Sequence, residues 1–337
     1  MAVEVQDLSG RAGRLYQDAI VIDGMGGSAR AAERLLAAGV TAVNVTVGQT
    51  ERFRETIKNI ADYLLLLDAL EEQTLLVKTA EDIHRAKSDG RLGIILGFQG
   101  AAPIEDTFEY ISIFHQLGLR VFQLTYQESN SLGSSCMERE DRGLTEFGRE
   151  VVRELNRLGI VMDLSHVGMR TSLEAIEVSK DPAIFSHANA RAVCDNIRNI
   201  TDEQVRAVAA KGGVVGVTPY SIFAETKPGV RPTLDDYITH IDYLVQLVGI
   251  DHIGIGTDLF EGNTRANFQK FLIRYPEMFR PYSKFETRHC VGLETIAGLP
   301  GVAVGLLRRG YAEEDTRRIL GGNFLRAFKQ VWHPLSR

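Results

Sequence analysis

Two histidines in the middle of the chain each follow a short apolar run. His166 follows the run in "VMDLSHVG", and His187 follows the next one in "AIFSHANA". If these runs are neighbouring parallel strands, their carboxyl ends lie side by side and the two imidazoles converge. Imidazole nitrogen is a common ligand of zinc and related ions, so the pair predicts a functional site. A single histidine of this kind would more often be structural.

A carboxylate and a guanidinium could complete such a site. Asp258 follows the apolar run of "HIGIGTDLFEG" and could bind a metal or act as general base on bound water. Its alternative role is that of a turn or capping residue. Arg198 lies shortly after His187 and could bind a substrate carboxylate through two parallel hydrogen bonds. An ion pair with Asp195 or Asp202 is the competing interpretation.

Eight short apolar runs alternate with amphipathic stretches, which favours a (β/α)8 barrel over an open doubly wound sheet. The carboxyl ends of all the strands meet at one face of such a barrel. Gln99 and Tyr126 also follow apolar runs, so we expect both at that face. The predicted strands are residues 19–23, 40–47, 93–98, 121–126, 160–164, 183–186, 214–218 and 252–257.

We expect residues 1–337 to form a single barrel domain, because no linker rich in proline, serine and glycine interrupts the series. Residues 261–287 are aromatic and irregular, which predicts an elaborated loop after the last strand. This loop could line a pocket or an interface, or it could pack on the barrel rim. A closing helix is expected at about residues 315–330.

Charge and composition limit the classes of partner. The 337 residues carry a formal net charge of −6 and no basic block, which argues against nucleic acid and favours a small molecule. The three cysteines form no C-x-x-C pair and favour a reducing compartment. No stretch reaches the roughly 18 apolar residues of a membrane span, and the N-terminus lacks an apolar signal segment. We therefore expect a soluble, cytoplasmic protein that does not enter a membrane.

Four longer segments point to a known family. They are "GLTEFGREVVRELNRLGIVMDLSHVG", "PAIFSHANARAVCDNIRNITDEQVRAVAAKGGVVGV", "HIGIGTDLFEG" and "LLRRGYAEEDTRRILGGNFLRAF". In this order they resemble the membrane (renal) dipeptidase family, metallopeptidase family M19, of the amidohydrolase superfamily. The resemblance runs over about residues 18–328. It implies a (β/α)8 barrel, a homodimer and, in active members, the hydrolysis of dipeptides with two zinc ions.

The resemblance assigns roles to single residues. In the family, one zinc ion is held by a His-x-Asp after the first strand, a bridging Glu and an Asp after the last strand. The second ion shares the bridging Glu and adds two histidines. His166 and His187 match those two histidines, and Asp258 matches the late aspartate. Arg198 matches the arginine that binds the substrate carboxylate.

Three features depart from the family pattern. Met25 and Gly27 of "VIDGMGGSAR" stand where the resemblance places the first-strand ligands, and Met25 offers at best a weak thioether. Gln99 of "GFQGAA" stands in place of the bridging Glu. Tyr126 stands in place of a histidine that contacts the region of the scissile carbonyl. A neutral amide cannot supply the charge with which a bridging carboxylate holds two dications.

The expected centre is therefore reduced to one zinc ion per chain. His166 and His187 would hold this ion, and the carbonyl oxygen of Gln99, Asp258 or water would complete its coordination. Because fewer anionic ligands weaken the affinity for a metal ion, a site that holds no metal is the alternative. Asp23, just before the altered positions, is expected to form structural hydrogen bonds beneath this face.

Three functional hypotheses follow. The preferred one is a hydrolase that cleaves a dipeptide or related small amide with metal-activated water, with Asp258 as base and Tyr126 in contact with the substrate. The second is a metal-independent or non-peptidase enzyme in which the two histidines, Asp258 and Tyr126 exchange protons with another substrate. The third is an inactive binding protein that retains Arg198 as an anchor for a carboxylate.

Overall fold

The strands of this protein are short, parallel and almost entirely buried. The computed structural model describes residues 10–260 and 264–333. The strands in these residues are β1 (Ile22–Asp23), β2 (Ala42–Gly48), β3 (Thr74–Leu76), β4 (Leu92–Phe98), β5 (Leu119–Gln123), β6 (Val161–Asp163), β7 (Ile184–Phe185), β8 (Val214–Val217) and β9 (Ile253–Ile255). Their order is β2-β1-β9-β8-β7-β6-β5-β4-β3, and an additional pairing of β2 with β4 closes eight of them into a barrel.

The closed parallel barrel confirms the predicted (β/α)8 fold. Each of its eight strands overlaps one of the predicted apolar runs. The ninth strand, β3, was not predicted. It has three residues, two of them partly exposed, and it pairs only with the first half of β4. A strand this short and half-exposed produces no apolar run in the sequence.

Helices cover the outside of the barrel, and several begin at a threonine that caps the helix. Thr201, for example, accepts a hydrogen bond from the backbone of Gln204, whose side chain bonds back to the threonine. The α-helices are α1 (Arg11–Asp18), α2 (Ala32–Ala37), α3 (Phe53–Ala69), α4 (Ala80–Asp89), α5 (Tyr110–Gln116), α6 (Glu146–Leu158), α7 (Met169–Val178), α8 (Asp202–Ala210), α9 (Leu234–Val248), α10 (Arg265–Arg274), α11 (Pro300–Arg308), α12 (Glu313–Arg317) and α13 (Asn323–Val331). A π-helical turn, Arg318–Gly322, joins the last two.

The last helix, α13, packs against the residues at the amino-terminal end of the barrel. Phe324 and Phe328 stack at 5.6 Å, and Phe328 stacks on Trp332 at 4.4 Å. One buried residue from each of seven barrel strands joins the same apolar cluster. On the eighth, Gly254 lies so close to Phe324 that an added Cβ would be 2.5 Å from its ring. With this end filled, the carboxyl ends of the strands remain for a site.

The segment after β9 is more regular than the predicted loop. Residues 261–263 lie outside the described part of the chain, but α10 and the short 3-10 turns Pro276–Met278 and Phe285–Thr287 follow them. The aromatic residues of this segment pack with Tyr220 and Phe223 in a cluster separate from the main core. Within the described residues, no helix is long and apolar enough to cross a membrane.

We expect His240 on α9 to make the stability of the protein depend on pH. Burial lowers its pKa to about 4, so the folded state binds no proton there between pH 6.5 and about 4, whereas the unfolded chain does. The free energy of unfolding should therefore fall as the pH drops through this range, by about 3 kcal/mol from this residue. Urea unfolding from pH 7 to 4 measures the slope.

The His240→Gln variant should lose this share of the slope, whatever its stability at pH 7. His84→Gln, which changes an exposed histidine on α4, is the matched control and should retain the slope. Equal slopes in the His240→Gln variant and the unmodified protein would contradict the assignment.

Candidate functional site

A cavity of about 520 Å³ opens at the carboxyl ends of the barrel strands. The structure brings five of the six predicted site residues to its wall, and the sixth, His187, lies buried behind His166. Five of the six predicted residues each lie within three positions after the end of a different strand; they are Gln99, Tyr126, His166, His187 and Asp258. The sixth, Arg198, lies in the loop after β7. The residues on the wall are Gln99, Tyr126, His166, Arg198 and Asp258.

The two histidines face each other through their Nε2 atoms, which lie 3.0 Å apart. The Nδ1 atom of His187 lies 2.7 Å from the hydroxyl of Ser186. That hydroxyl donates to the buried carboxylate of Asp163, so it accepts from the Nδ1–H of His187. The Nε2 atom of His187 is consequently left unprotonated and directed at His166.

Backbone geometry and burial hold His166 in place. It has a left-handed conformation, with φ of 68°, and its carbonyl accepts a hydrogen bond from Cys136. Burial lowers the pKa of both histidines well below the usual value, and the positive charge of Arg198 lowers them further. Both imidazoles are therefore neutral at pH 7, which is the form that binds a metal ion.

Asp258 is positioned by a hydrogen-bonded clamp between the first and last strands. The buried carboxylate of Asp23 accepts hydrogen bonds from the backbone N–H (2.7 Å) and hydroxyl (2.6 Å) of Thr257. The next residue, Asp258, takes a left-handed φ of 53° and donates its backbone N–H to the carbonyl of Met25 at 2.8 Å. Loss of hydration raises the pKa of Asp258 to about 7, against the opposing attraction of Arg198.

Arg198 is a charged side chain that is only 3% exposed. Its Nη2 donates to the carbonyl of His187 at 2.9 Å, and its guanidinium lies 5.8 Å from the ring centre of Phe223. The competing ion pairs are not formed, because Asp195 pairs with Arg191 and Asp202 accepts from a tyrosine. The Nε atom of Arg198 is buried and has no partner among the described residues. A ligand oxygen in the cavity could satisfy such a donor.

Tyr126 and Gln99 lie beside the histidine pair. The ring of Tyr126 is 4.4 Å from that of His166, and burial raises the pKa of its hydroxyl, which stays protonated at pH 7. The side-chain oxygen of Gln99 accepts a hydrogen bond from Gln49 at 3.2 Å. Tyr126 is thus a hydrogen-bond donor at the cavity wall, whereas the Gln99 oxygen already has one protein partner.

The first strand ends without a metal ligand. Met25 is fully buried, and its sulfur accepts a hydrogen bond from Thr46 at 3.5 Å. Gly27 has a φ of 62°, and a Cβ added there would lie 3.1 Å from Leu35. The backbone of an aspartate at this position would therefore be strained.

The described residues do not fit a centre of two metal ions. No group of three or more His, Cys, Asp and Glu side chains that could hold a metal occurs within residues 10–260 and 264–333. What the structure offers is the pair of neutral imidazoles of His166 and His187, whose Nε2 atoms converge. These two nitrogens fit a single ion, provided that other donors complete its coordination.

Sequence reasoning missed several polar residues of the cavity wall, among them Tyr220 and Arg288. Tyr220 lies three residues after β8 and could have been found by the strand-end rule that located the others. Arg288 lies 30 residues after Asp258 along the chain, and no sequence signal placed it at the cavity. Two of the aromatic residues in the predicted loop, Phe268 and Phe271, do line this cavity.

A (β/α)8 barrel with a polar cavity at the carboxyl ends of its strands is an architecture that many enzymes share. Residues 27–276 match the family described as membrane dipeptidase (Peptidase family M19), and the chain belongs to this family. The expectation from the sequence segments is thereby confirmed.

Individual relatives cover most of the chain. An amidohydrolase of known structure from Pseudomonas aeruginosa is 36% identical, with a TM-score of 0.87 over 95% of this chain and 99% of that one. A metallo peptidase from Rhodobacter sphaeroides, solved with a phosphinate mimic of the dipeptide L-Ala-D-Ala, is 21% identical. Its TM-score of 0.77, over 94% of this chain and 100% of that one, shows a shared fold.

Two curated relatives are fungal dipeptidases. Dipeptidase tcpJ of Claviceps purpurea is 26% identical over 82% of this chain, and dipeptidase aclJ of Aspergillus oryzae is 28% identical over 85%. These alignments cover 60% and 63% of the relatives' own lengths. The chain thus spans less than two thirds of either relative.

The clamp between Asp23 and Thr257 can be tested by changing its hydroxyl donor. Thr257→Val leaves one buried carboxylate oxygen without that donor, and should lower the free energy of unfolding by about 1–3 kcal/mol. Urea unfolding should be measured at pH 8, because burial raises the pKa of Asp23 to about 7 and the carboxylate is charged above it.

Thr257→Ser is the matched control, because it retains the hydroxyl and loses only a methyl group. It should be the more stable of the two variants. Equal stability of the valine and serine variants would show that the hydroxyl does not stabilise the junction of the two strands.

Proposed function

We propose that this protein hydrolyses the amide bond of a dipeptide, or of a related small substrate with a carboxylate, with one metal ion at most. The observation that carries the proposal is the placement of Arg198 and Asp258 on one cavity, beside the converging histidine pair. Membership of the dipeptidase family and the similarity to two fungal dipeptidases support the same reaction.

Arg198 supplies the anchor for the substrate carboxylate. Its side chain is held by the carbonyl of His187 and by the ring of Phe223, so the guanidinium is oriented before a ligand arrives. A carboxylate that accepts from its free N–H groups would satisfy the buried Nε atom. The anchor would fix the distance from the substrate's carboxyl end to its amide bond.

Asp258 is the proton acceptor of the proposed reaction. Water adds to the amide carbonyl carbon, Asp258 takes the proton from that water, and the carbon–nitrogen bond breaks as the proton passes to the leaving amine. The clamp on Thr257 and the bond to the Met25 carbonyl hold this carboxyl group at the cavity. The protonated hydroxyl of Tyr126 would donate to the carbonyl oxygen as negative charge develops there.

His166 and His187 would hold the metal ion, for which zinc is the family's usual choice. When bound, the ion would act as a Lewis acid and make water a stronger nucleophile. The hydrogen bond from His187 to Ser186 orients that imidazole, because it fixes which ring nitrogen is free to bind the ion. The Gln99 oxygen, Asp258 or water would complete the coordination.

Two further expectations remain proposals. A cytoplasmic location is supported by the three cysteines, Cys136, Cys194 and Cys290, which are all free. A homodimer is supported by the family resemblance alone. Sedimentation velocity of the purified protein would determine the second.

The role of Asp258 is tested by Asp258→Asn, which retains the shape of the side chain but cannot accept the proton. We expect kcat/KM on the best substrate of a dipeptide panel to fall by about 10²–10⁴-fold. Asp251→Asn, which changes an exposed carboxylate paired with Arg318 outside the cavity, is the matched control. If Asp258→Asn retains more than about one tenth of the activity, the assigned role is wrong.

The metal proposal is tested by elemental analysis of the protein after zinc reconstitution and desalting. We expect about one zinc ion per chain, and its loss in His166→Ala, because one imidazole alone binds zinc weakly. His84→Ala, at an exposed position, controls for surface binding. Two ions per chain would contradict the single-ion site, and no bound zinc would favour a metal-independent reaction of the same residues.

A further inference from the structure

The cavity contains a second guanidinium for which the proposed reaction has no use. Arg288 lines the same wall as Arg198 but comes from the chain that follows the aromatic segment after β9. Its guanidinium lies 4.1 Å from the ring centre of Phe285, and its Nη1 donates to the carbonyl of the same residue. These contacts fix the plane of the group and leave most of its five N–H donors free.

Neither arginine is paired with a carboxylate of the described residues. Arg198 donates to a backbone carbonyl and keeps a buried Nε without a partner, although its side chain is only 3% exposed. Arg288 is half-buried, and its neighbour Glu286 pairs with Arg265 instead. Ion pairs would be expected for two arginines whose only purpose is structural.

The charges of the cavity wall do not balance. Among the described residues that line it, Asp258 is the only acidic one, against the two arginines. The wall therefore carries an excess of at least one positive charge, and a bound metal ion would add to it. A dipeptide is a zwitterion whose ends cancel, so a substrate with a neutral side chain leaves the excess in place. A substrate with one additional carboxylate removes it.

We infer that Arg288 binds a second carboxylate, so that the substrates are small amides with two acidic groups, such as dipeptides that end in Asp or Glu. In this inference, which rests on the proposed function, Arg198 binds the terminal carboxylate and Arg288 binds the side chain. The cavity of about 520 Å³ leaves room for both groups of the ligand. Stacking on Phe285 orients the guanidinium for a bidentate contact with the side-chain carboxylate.

A structural role for Arg288 would have different consequences. If it served only to balance the charge of Asp258, its removal would change activity on all substrates alike. If it binds the second carboxylate, its removal changes the choice between acidic and neutral substrates. The experiment therefore measures a ratio of affinities rather than a single one.

The test is isothermal titration calorimetry with two probes, N-acetyl-L-glutamate and N-acetyl-L-glutamine. They have the same shape and differ in one carboxylate. The unmodified protein should bind the glutamate at least about tenfold more tightly, as expected for one charge-assisted contact. In Arg288→Gln the two affinities should be equal, with that for the glutamine probe unchanged within about twofold. Arg288→Lys should retain part of the preference, since it keeps the charge but not the planar group.

Arg274→Gln is the matched control, because the guanidinium of Arg274 likewise lies over an aromatic ring, 5.6 Å from the centre of Tyr275, but does not line the cavity. It should retain the full preference. Equal binding of the two probes to the unmodified protein, a preference that survives Arg288→Gln, or no binding of either probe would each overturn the inference. Circular dichroism confirms that the variants are folded.

The outcomes also separate this inference from the proposed function. If the protein prefers the glutamate probe through Arg288 but cleaves no dipeptide, the role of Arg288 in binding is supported and the proposed hydrolase activity is contradicted. If Ala-Glu and Ala-Gln are cleaved with equal kcat/KM, the proposed hydrolase activity is supported and the role of Arg288 in substrate choice is contradicted.

Discussion

The closure of the barrel depends on one buried carboxylate. Asp23 lies at the end of the first strand and accepts both donors of Thr257, which follows the last strand. Within the strands themselves, β1 and β9 share a single paired position, Asp23 with Ile255, and the adjoining bond from Gly24 to the same residue, while the bonds from Asp258 to Met25 and from Gly27 to Leu259 lie beyond the strand ends. The clamp therefore fixes the junction that makes a sheet into a barrel, and it also places Asp258 on the cavity wall.

A second buried carboxylate positions the two histidines of the site in the same way. Asp163, at the end of β6, accepts backbone N–H bonds from Ser165 at 3.0 Å and from Ser186 at 2.9 Å. Those serines immediately precede His166 and His187, so one carboxylate sets the position of both imidazoles. In each case an aspartate beneath the cavity accepts hydrogen bonds from residues that directly precede a predicted site residue. A buried carboxylate is stable in such a position only because several hydrogen-bond donors surround it.

Structural features that depend on apolar periodicity can be predicted from the sequence, whereas features that depend on contacts between distant residues cannot. The eight barrel strands are visible as apolar runs, and the rule that polar residues follow strand ends places His166, Tyr126 and Asp258 at one face. The left-handed conformation of Asp258 is not visible, because it follows from the bond of its own N–H to Met25 and from the bonds of Thr257 to Asp23, both far away in the chain. Arg288 is missed for the same reason, since only the folded aromatic segment brings it to the cavity.

The altered positions at the first and fourth strands have a consequence for charge as well as for metal binding. Gly27 and Gln99 stand where the family resemblance implies carboxylates, so by that resemblance the cavity wall has two fewer negative charges than the family's centre, whereas Arg198 is retained. A wall with fewer anions holds dications less tightly and leaves its arginines less compensated. Both effects have the same direction: the site becomes poorer for a pair of metal ions and better for an acidic ligand. The first-strand positions without carboxylates and the unpaired Arg288 thus act in the same direction, because both make the cavity wall more positive.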